Sequence, residues 1–159
     1  RLTDVTGVQT CALPISMNKN QLVFNTALII VQHLRNLERA NKGVHSRLFE
    51  HMLHPEFDYV GAGVSLEAEK SGKHHPEHVV PCAFMISEIR RLINQNEMTD
   101  PEIALLLQKH WKIVRISKDE AKNLDSRPGL KSGMPNGWTF ETGDTFARLK
   151  VAQIIFRPT

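Results

Sequence analysis

The side chains best suited to chemistry are concentrated in one short stretch, residues 74–84, which reads HHPEHVVPCAF. It holds three of the chain's eight histidines, together with a glutamate and a cysteine. Imidazole and carboxylate groups bind metal ions and transfer protons, and a thiol can act as a nucleophile. A metal site, a catalytic base and an ordinary buried strand with polar neighbours are all compatible with this stretch.

Part of this stretch, Glu77-His-Val-Val-Pro81, resembles the first-strand motif of HNH endonucleases, the His-Me finger or ββα-metal group. The residues that follow, Cys82 to Met85, continue in the same rhythm. The resemblance implies a strand–loop–strand–helix unit in which His78 is the catalytic base and Glu77 is a metal ligand. It also implies that the remaining ligands lie on a helix further along the chain.

A strand and a helix of the required kind follow. Residues 111–116, WKIVRI, are β-branched and short, which predicts a strand. Ser117 and Glu120 form a capping box that predicts a helix over 118–125. Asp119 and Asn123 are four residues apart on this helix and share a face. The resemblance makes them the further ligands, and such oxygen donors favour Mg²⁺ or Mn²⁺ over zinc.

The resemblance implies hydrolysis of phosphodiester bonds in DNA or RNA. His78 would take a proton from water, and the cation would stabilise the developing charge on phosphorus. Neighbouring strand residues normally point to opposite faces, so a bend at Pro76 or Pro81 is expected to bring Glu77 and His78 together. The side chains expected to bind substrate are His75, Arg127, Lys131 and Arg148.

Simpler interpretations stay open for each of these residues. His78 is equally compatible with a partly buried strand histidine whose hydrogen bond is satisfied, and Asp119 and Asn123 with a solvated helix face. Cys82 is most simply a small core residue, because no third group is visible to complete a Cys82–His78 hydrolase pair. The alternative function is a non-catalytic module that binds nucleic acid or protein, and the overall arrangement also resembles small phage-type proteins.

Hydrophobic periodicity and capping signals predict the other elements. The predictions are a helix over 20–41 ended by Gly43, a short helix over 44–53, a loop over 58–76, a helix over 82–96 and a further helix capped by Thr99 or Asp100. Strand 79–80 is expected to pair antiparallel with strand 113–116. Residues 143–156 are expected to form a helix followed by a strand, or one continuous element. The fold class is therefore α+β, a helix-rich small domain with a short antiparallel β-hairpin.

Composition narrows the class of protein further. Hydrophobic residues make up 41% of the chain, which suits one domain with a proper core. No apolar run reaches the roughly 20 residues of a membrane span, so neither a membrane partner nor a secreted location is expected, and we expect a cytoplasmic protein. The formal net charge of +3 permits a nucleic-acid partner without requiring one.

Residues 1–16 are expected to lie outside the fold, because residues 5–15 resemble the translation of a sequencing adapter. Met17 is then the expected start, and Cys82 the only native cysteine. The expected domain, 17–159, divides into N-terminal helices (17–57), a split HNH-like unit (74–125) with a helical insertion (82–110), and a C-terminal segment (126–159).

Overall fold

A computed structural model describes residues 18–159, so the segment expected to be adapter-derived lies outside the described residues. The helices are α1 (Lys19–Arg39), α2 (Leu48–Met52), α3 (Glu56–Val60), α4 (Leu66–Ser71), α5 (Cys82–Gln95), α6 (Asp100–His110), α7 (Lys118–Ser126) and α8 (Ala147–Val151). The strands are β1 (Gly61–Ser65), β2 (His75–His78), β3 (Ile113–Ile116) and β4 (Phe156–Pro158). The α+β class is confirmed.

The strands form one mixed sheet in the order β2-β3-β1-β4. Strand β3 pairs antiparallel with β2 and parallel with β1, and β1 pairs antiparallel with β4. The predicted antiparallel partner of β3 is therefore present, but it lies at His75–His78 instead of Val79–Val80. It is not half of an isolated hairpin, because α5 and α6 connect β2 to β3 and the sheet continues on the other side of β3.

Two hydrophobic clusters cover the two faces of the sheet. The larger contains Ile113 and Val80 and is built mainly from the apolar faces of α1, α5 and α6. The smaller contains Val79, Val114 and Ile116, covered by Leu124 of α7 and Leu149 of α8. Adjacent residues of β3 thus belong to different clusters, as strand alternation requires. Helix α7 packs against β2, and its Leu124 joins Val114 and Ile116 of β3 in the smaller cluster.

The N-terminal helix ends earlier than predicted. Asn18 caps α1 by accepting a hydrogen bond from the Gln21 amide, and the helix runs to Arg39. The residue that turns the chain is Asn41, with φ of 51°, and not Gly43. Asparagine tolerates this left-handed conformation better than other residues with a Cβ, so glycine is not required.

The prediction of a loop over residues 58–76 is wrong, because β1, α4 and parts of α3 and β2 occupy this range. Gly61 and Gly63 of β1 permit the close approach of other backbone atoms. A Cβ on Gly61 would lie 2.4 Å from the carbonyl oxygen of Phe57, and one on Gly63 would lie 2.3 Å from that of Arg157. Glycine in a strand marks such close approach of another backbone, whereas the sequence pattern indicated turns.

The elements with strong local signals match their predictions closely. Helix α5 spans Cys82–Gln95, α6 follows a Thr99–Glu102 capping box, and α7 follows the predicted Ser117–Glu120 box. The C-terminal stretch forms a short helix followed by a strand. Within residues 18–159 no helix is both long and apolar enough to cross a membrane.

Candidate functional site

Adjacent residues of β2 point to opposite sides of the sheet. The pairing with β3 is regular from His75 opposite Ile116 to His78 opposite Ile113, so the expected bend is absent. Glu77 pairs with Val114 and shares its face, which is covered by α7 and α8. His78 shares the opposite face with Ile113. The prediction that Glu77 and His78 converge on one ion is therefore corrected, because an unbroken pleat keeps them apart.

On its own face, Glu77 binds a buried arginine. Arg148 of α8 is 1% exposed, and its Nη1 donates to Glu77 Oε1 at 2.7 Å and to the His78 carbonyl at 2.8 Å. Its Nε and Nη2 donate to the carbonyls of Leu130 and Lys131 at 2.7 and 3.4 Å. We call these contacts the arginine clamp. Arg148 is enclosed by the protein, so its predicted contact with substrate is also corrected.

On the other face, His78 binds a carboxylate. Its Nε2 lies 2.8 Å from Glu56 Oε1, which also accepts a hydrogen bond from Trp111 Nε1 at 2.6 Å. The His78 and Glu56 side chains are 19% and 10% exposed. Because an ionised carboxylate accepts only, His78 carries its proton on Nε2, and in the neutral ring Nδ1 has a free lone pair. Trp111 is held in turn by edge-on packing against Phe49.

Glu56 also lines a cleft between the α2–α3 segment and the β2–β3 face of the sheet. The cleft has a volume of about 710 Å³. Its lining residues are Glu50, His51, His54, Pro55, Glu56, Phe57, His74, Pro76, Ile113 and Arg115. We call it the histidine cleft. Three of the eight histidines line it and His78 binds its wall, so half of the chain's imidazoles gather here.

The cleft also contains a cation without a carboxylate partner among residues 18–159. The Arg115 guanidinium lies over the Phe57 ring, with Cζ 3.8 Å from the ring centroid. Arg115 is opposite Pro76 in the strand register, between the positions of His74 and His78. Stacking orients the guanidinium while leaving its donors free, which is a suitable arrangement for holding an anion.

The predicted ligands on α7 lie in a different hollow. Asp119 and Asn123 line it with Glu67, Ser71, Ser117 and Glu120. Asn123 Oδ1 is 3.4 Å from the Arg127 Nε, and Glu77 is engaged by Arg148 instead of facing this hollow. Among the described residues, no three His, Cys, Asp or Glu side chains form a group that could hold a metal. The predicted donor set therefore does not fit a shared Mg²⁺ or Mn²⁺ ion.

The other residues predicted to bind substrate do not gather around His78. Arg127 donates to the carbonyl of Val151 at 2.9 Å, and Lys131 is an exposed loop residue. His75 is 48% exposed and lies 3.4 Å from Glu77, on the side of β2 away from the cleft. The structure thus separates these three residues from the histidine cleft.

Cys82 is a poor nucleophile. Burial raises the pKa of its thiol well above the ordinary range, and the nearby carboxylates of Glu56, Glu50 and Glu77 raise it further. Since the thiolate is the reactive form, this environment suppresses the Cys82–His78 pair considered from the sequence. Cys82 instead packs against the larger hydrophobic cluster.

Sequence reasoning missed Glu56, Arg115 and the two histidines of the facing segment, His51 and His54. A signal for one of them was present, because the tripeptide His-Pro-Glu occurs at residues 54–56 and again at 75–77. The first copy supplies the glutamate that binds His78, and the second supplies the glutamate of the arginine clamp. Arg115 had no local signal, since it lies within a predicted strand.

Compared with protein-family models, curated proteins and solved structures, the chain gives no significant match.

Proposed function

We propose that the protein cleaves phosphodiester bonds of nucleic acid in the histidine cleft, with His78 as the general base. The observation that carries this proposal is the Glu56–His78 hydrogen bond of 2.8 Å at the wall of a 710 Å³ cleft. A carboxylate on one imidazole nitrogen fixes the ring and its tautomer and stabilises the imidazolium that forms when the other nitrogen takes a proton.

The position of Glu56 supports this role. Its Oε1 is fixed by the Trp111 indole, so the carboxylate is already oriented before any substrate enters. Preorganised groups of this kind contribute to catalysis because they need no rearrangement during the reaction. Glu56 thus acts as a positioning residue, and His78 Nδ1 is the atom that accepts the proton.

Arg115 supports a phosphate-bearing substrate. Its guanidinium is stacked on Phe57 and has no carboxylate partner within the described chain, so its donors are available to phosphate oxygens. Carboxylates of Glu50 and Glu56 also line the cleft, so its affinity for an anion depends on Arg115 and on protonated histidines. We include a cytoplasmic location in the proposal, in keeping with Cys82 as a free thiol.

The divalent cation implied by the HNH resemblance has no part in this mechanism. Glu77 neutralises the buried Arg148, and the α7 ligands lie on the other side of the sheet from His78. A base and an ion on opposite faces of a sheet cannot act on one phosphorus atom. The proposal keeps the predicted base and substrate class, and replaces the predicted partner Glu77 with Glu56.

A cleavage assay with end-labelled DNA and RNA tests the proposal. We expect His78→Ala to lower the cleavage rate by about 10²–10⁴-fold, the usual contribution of positioned proton transfer. The matched control is His75→Ala, a histidine of the same strand on the opposite face, which should leave the rate within about twofold. Equal losses in the two variants, with both folded by circular dichroism, would refute the assignment of His78.

A second candidate, a non-catalytic nucleic-acid-binding module, is favoured by a different feature of the same contact. Glu56 accepts hydrogen bonds from both Trp111 and His78 and so ties α3 to β2 and the core, a purely structural role. If the protein is such a module, we expect the wild type to bind nucleic acid without cleaving it. Arg115→Ala should then weaken binding, and His78→Ala should lower only the stability of the fold.

A further inference from the structure

We propose that the substrate is RNA, cleaved without a metal by transphosphorylation between two histidines, His78 of β2 and His74, which directly precedes that strand. This inference rests on the proposed function, which it narrows to a substrate class and a mechanism. His78 is the base, His74 is the acid and Arg115 holds the phosphate. RNA supplies its own nucleophile, the 2′-hydroxyl, so an imidazole acid and base with one cation suffice for the reaction.

The strand geometry supplies the order of these groups. Pro76 and His78 are alternate residues of β2 and point to the same side of the sheet, and His74, which precedes the strand, lines the histidine cleft together with Pro76. A rise of about 3.3 Å per residue limits the separation of the two histidine Cα atoms to about 13 Å. Arg115 is opposite Pro76, at the midpoint of that interval. A phosphate bound to Arg115 thus has His74 of the cleft lining on one side and His78, which binds the lining residue Glu56, on the other.

Such an arrangement suits an in-line displacement. His78 Nδ1 takes the proton of the 2′-hydroxyl, the 2′-oxygen bonds to phosphorus, and the bond from phosphorus to the 5′-oxygen breaks. Protonated His74 donates its proton to the leaving 5′-oxygen. The products are a 2′,3′-cyclic phosphate and a 5′-hydroxyl, with no change in oxidation state. Arg115 neutralises the charge that builds up on the non-bridging oxygens.

The exposure of the His78 and His74 side chains suits their roles as base and acid. The His78 side chain is mostly buried and its Nε2 is held by Glu56, as expected for a base of fixed orientation. His74 is exposed at the mouth of the cleft, where it can exchange protons with solvent between turnovers. His75, its chain neighbour, lies beside Glu77 on the other face and cannot reach the same phosphate.

The first experiment uses the purified chain in EDTA with two oligonucleotides, one all-DNA and one DNA with a single ribonucleotide. We expect cleavage only of the second, directly after the ribonucleotide, with a 2′,3′-cyclic phosphate end identified by mass spectrometry. Cleavage in EDTA that extends to the all-DNA oligonucleotide and depends on His78 would overturn this inference while leaving the proposed function intact. The absence of cleavage of either strand under all conditions would overturn both.

The second experiment tests the acid, using a substrate with a bridging 5′-sulfur. A thiolate leaves without a proton, because thiols have a far lower pKa than alcohols. His74→Ala should slow the oxygen substrate by about 10²–10⁴-fold and the sulfur substrate by at most a few-fold. His78→Ala should slow both, since the base acts on the nucleophile. His74 is exposed, so its removal spares the fold, and an undiminished rate on the oxygen substrate would overturn the inference.

Discussion

Glu77 and His78 are neighbours in the chain, but Glu77 is bound inside the arginine clamp and His78 lies beside an open cleft. Their comparison shows how the two faces of the sheet differ. Glu77 is bound to Arg148, a guanidinium only 1% exposed that also holds three backbone carbonyls. His78 binds Glu56 through one ring nitrogen, and its other ring nitrogen has no hydrogen bond to the described part of the chain, beside a cleft. On the clamp side each nitrogen of the guanidinium donates to a protein acceptor, whereas the cleft side retains donors and acceptors that can bind a ligand.

The difference shows what a motif of adjacent residues can and cannot specify. Alternation in a strand assigns neighbouring side chains to separate environments, and here those environments are a closed structural network and an open cleft. The partner of His78 therefore comes from α3 instead of from its own strand.

The strongest test of the comparison is Arg148→Met on the clamp side. Loss of the guanidinium leaves the Glu77 carboxylate without its partner and the buried carbonyls unsatisfied. We expect the free energy of unfolding to fall by about 3–5 kcal/mol, measured by urea denaturation. Arg157→Met, at an exposed arginine 3.5 Å from Glu69, is the control and should change it by less than about 0.5 kcal/mol. A loss below about 1 kcal/mol in Arg148→Met would show that the clamp is not structural.

His110 differs from His78 because both of its ring nitrogens are hydrogen-bonded within the protein. Its Nε2 donates to the Phe140 carbonyl at 2.8 Å and its Nδ1 accepts from the Thr145 hydroxyl at 3.0 Å, so both nitrogens are used. Burial lowers the pKa of His110 to about 4. The unfolded chain, with an ordinary pKa near 6.5, binds a proton first as the pH falls.

Stability should therefore be fully present above about pH 6.5 and decline between pH 6.5 and 4, by about 3 kcal/mol in total. Carboxylates whose pKa is lowered, such as Glu141 and Asp144, add to the loss at the acidic end. Urea denaturation of the wild type and of His110→Gln across this range isolates the histidine contribution. Parallel pH dependences of the two proteins would contradict the prediction.

Trp111→Phe sharpens the comparison on the cleft side. Phenylalanine preserves most of the packing against Phe49 and removes the donor to Glu56 Oε1. His78 still contacts that oxygen, so we expect a loss of about 1–2 kcal/mol, clearly smaller than for the clamp. Chemical denaturation at neutral pH measures it. A loss as large as that of Arg148→Met would mean that the two sides are equally structural.

The smallest effects are expected at Asp119 and Asn123. Both are exposed on α7, across the sheet from His78, so Asp119→Ala and Asn123→Ala should each change stability by less than about 0.5 kcal/mol. Neither should alter the rate of nucleic-acid cleavage. Loss of activity in either variant, with recovery at high Mn²⁺, would restore the metal-ligand role that the HNH resemblance implied.

Local signals in the sequence determined much of the fold. The Thr99–Glu102 and Ser117–Glu120 boxes, the apolar face of α5 and the β-branched run of β3 were all predictable, because each depends on residues within one or two turns. The same holds for the concentration of histidines at residues 74–78. By contrast, β1 was missed because Gly63 is required by the close approach of the Arg157 backbone, which is distant in the sequence.

Tertiary structure alone decided the partners of the site. Glu56 reaches His78 across 22 residues of sequence, and Arg148 reaches Glu77 across 71. These contacts depend on how α3 and α8 pack on opposite faces of the sheet, which no pattern within residues 74–84 can express. The stretch itself determined which groups were available for chemistry, and the pleat of β2 with the packing around it determined which of them became structural and which remained open.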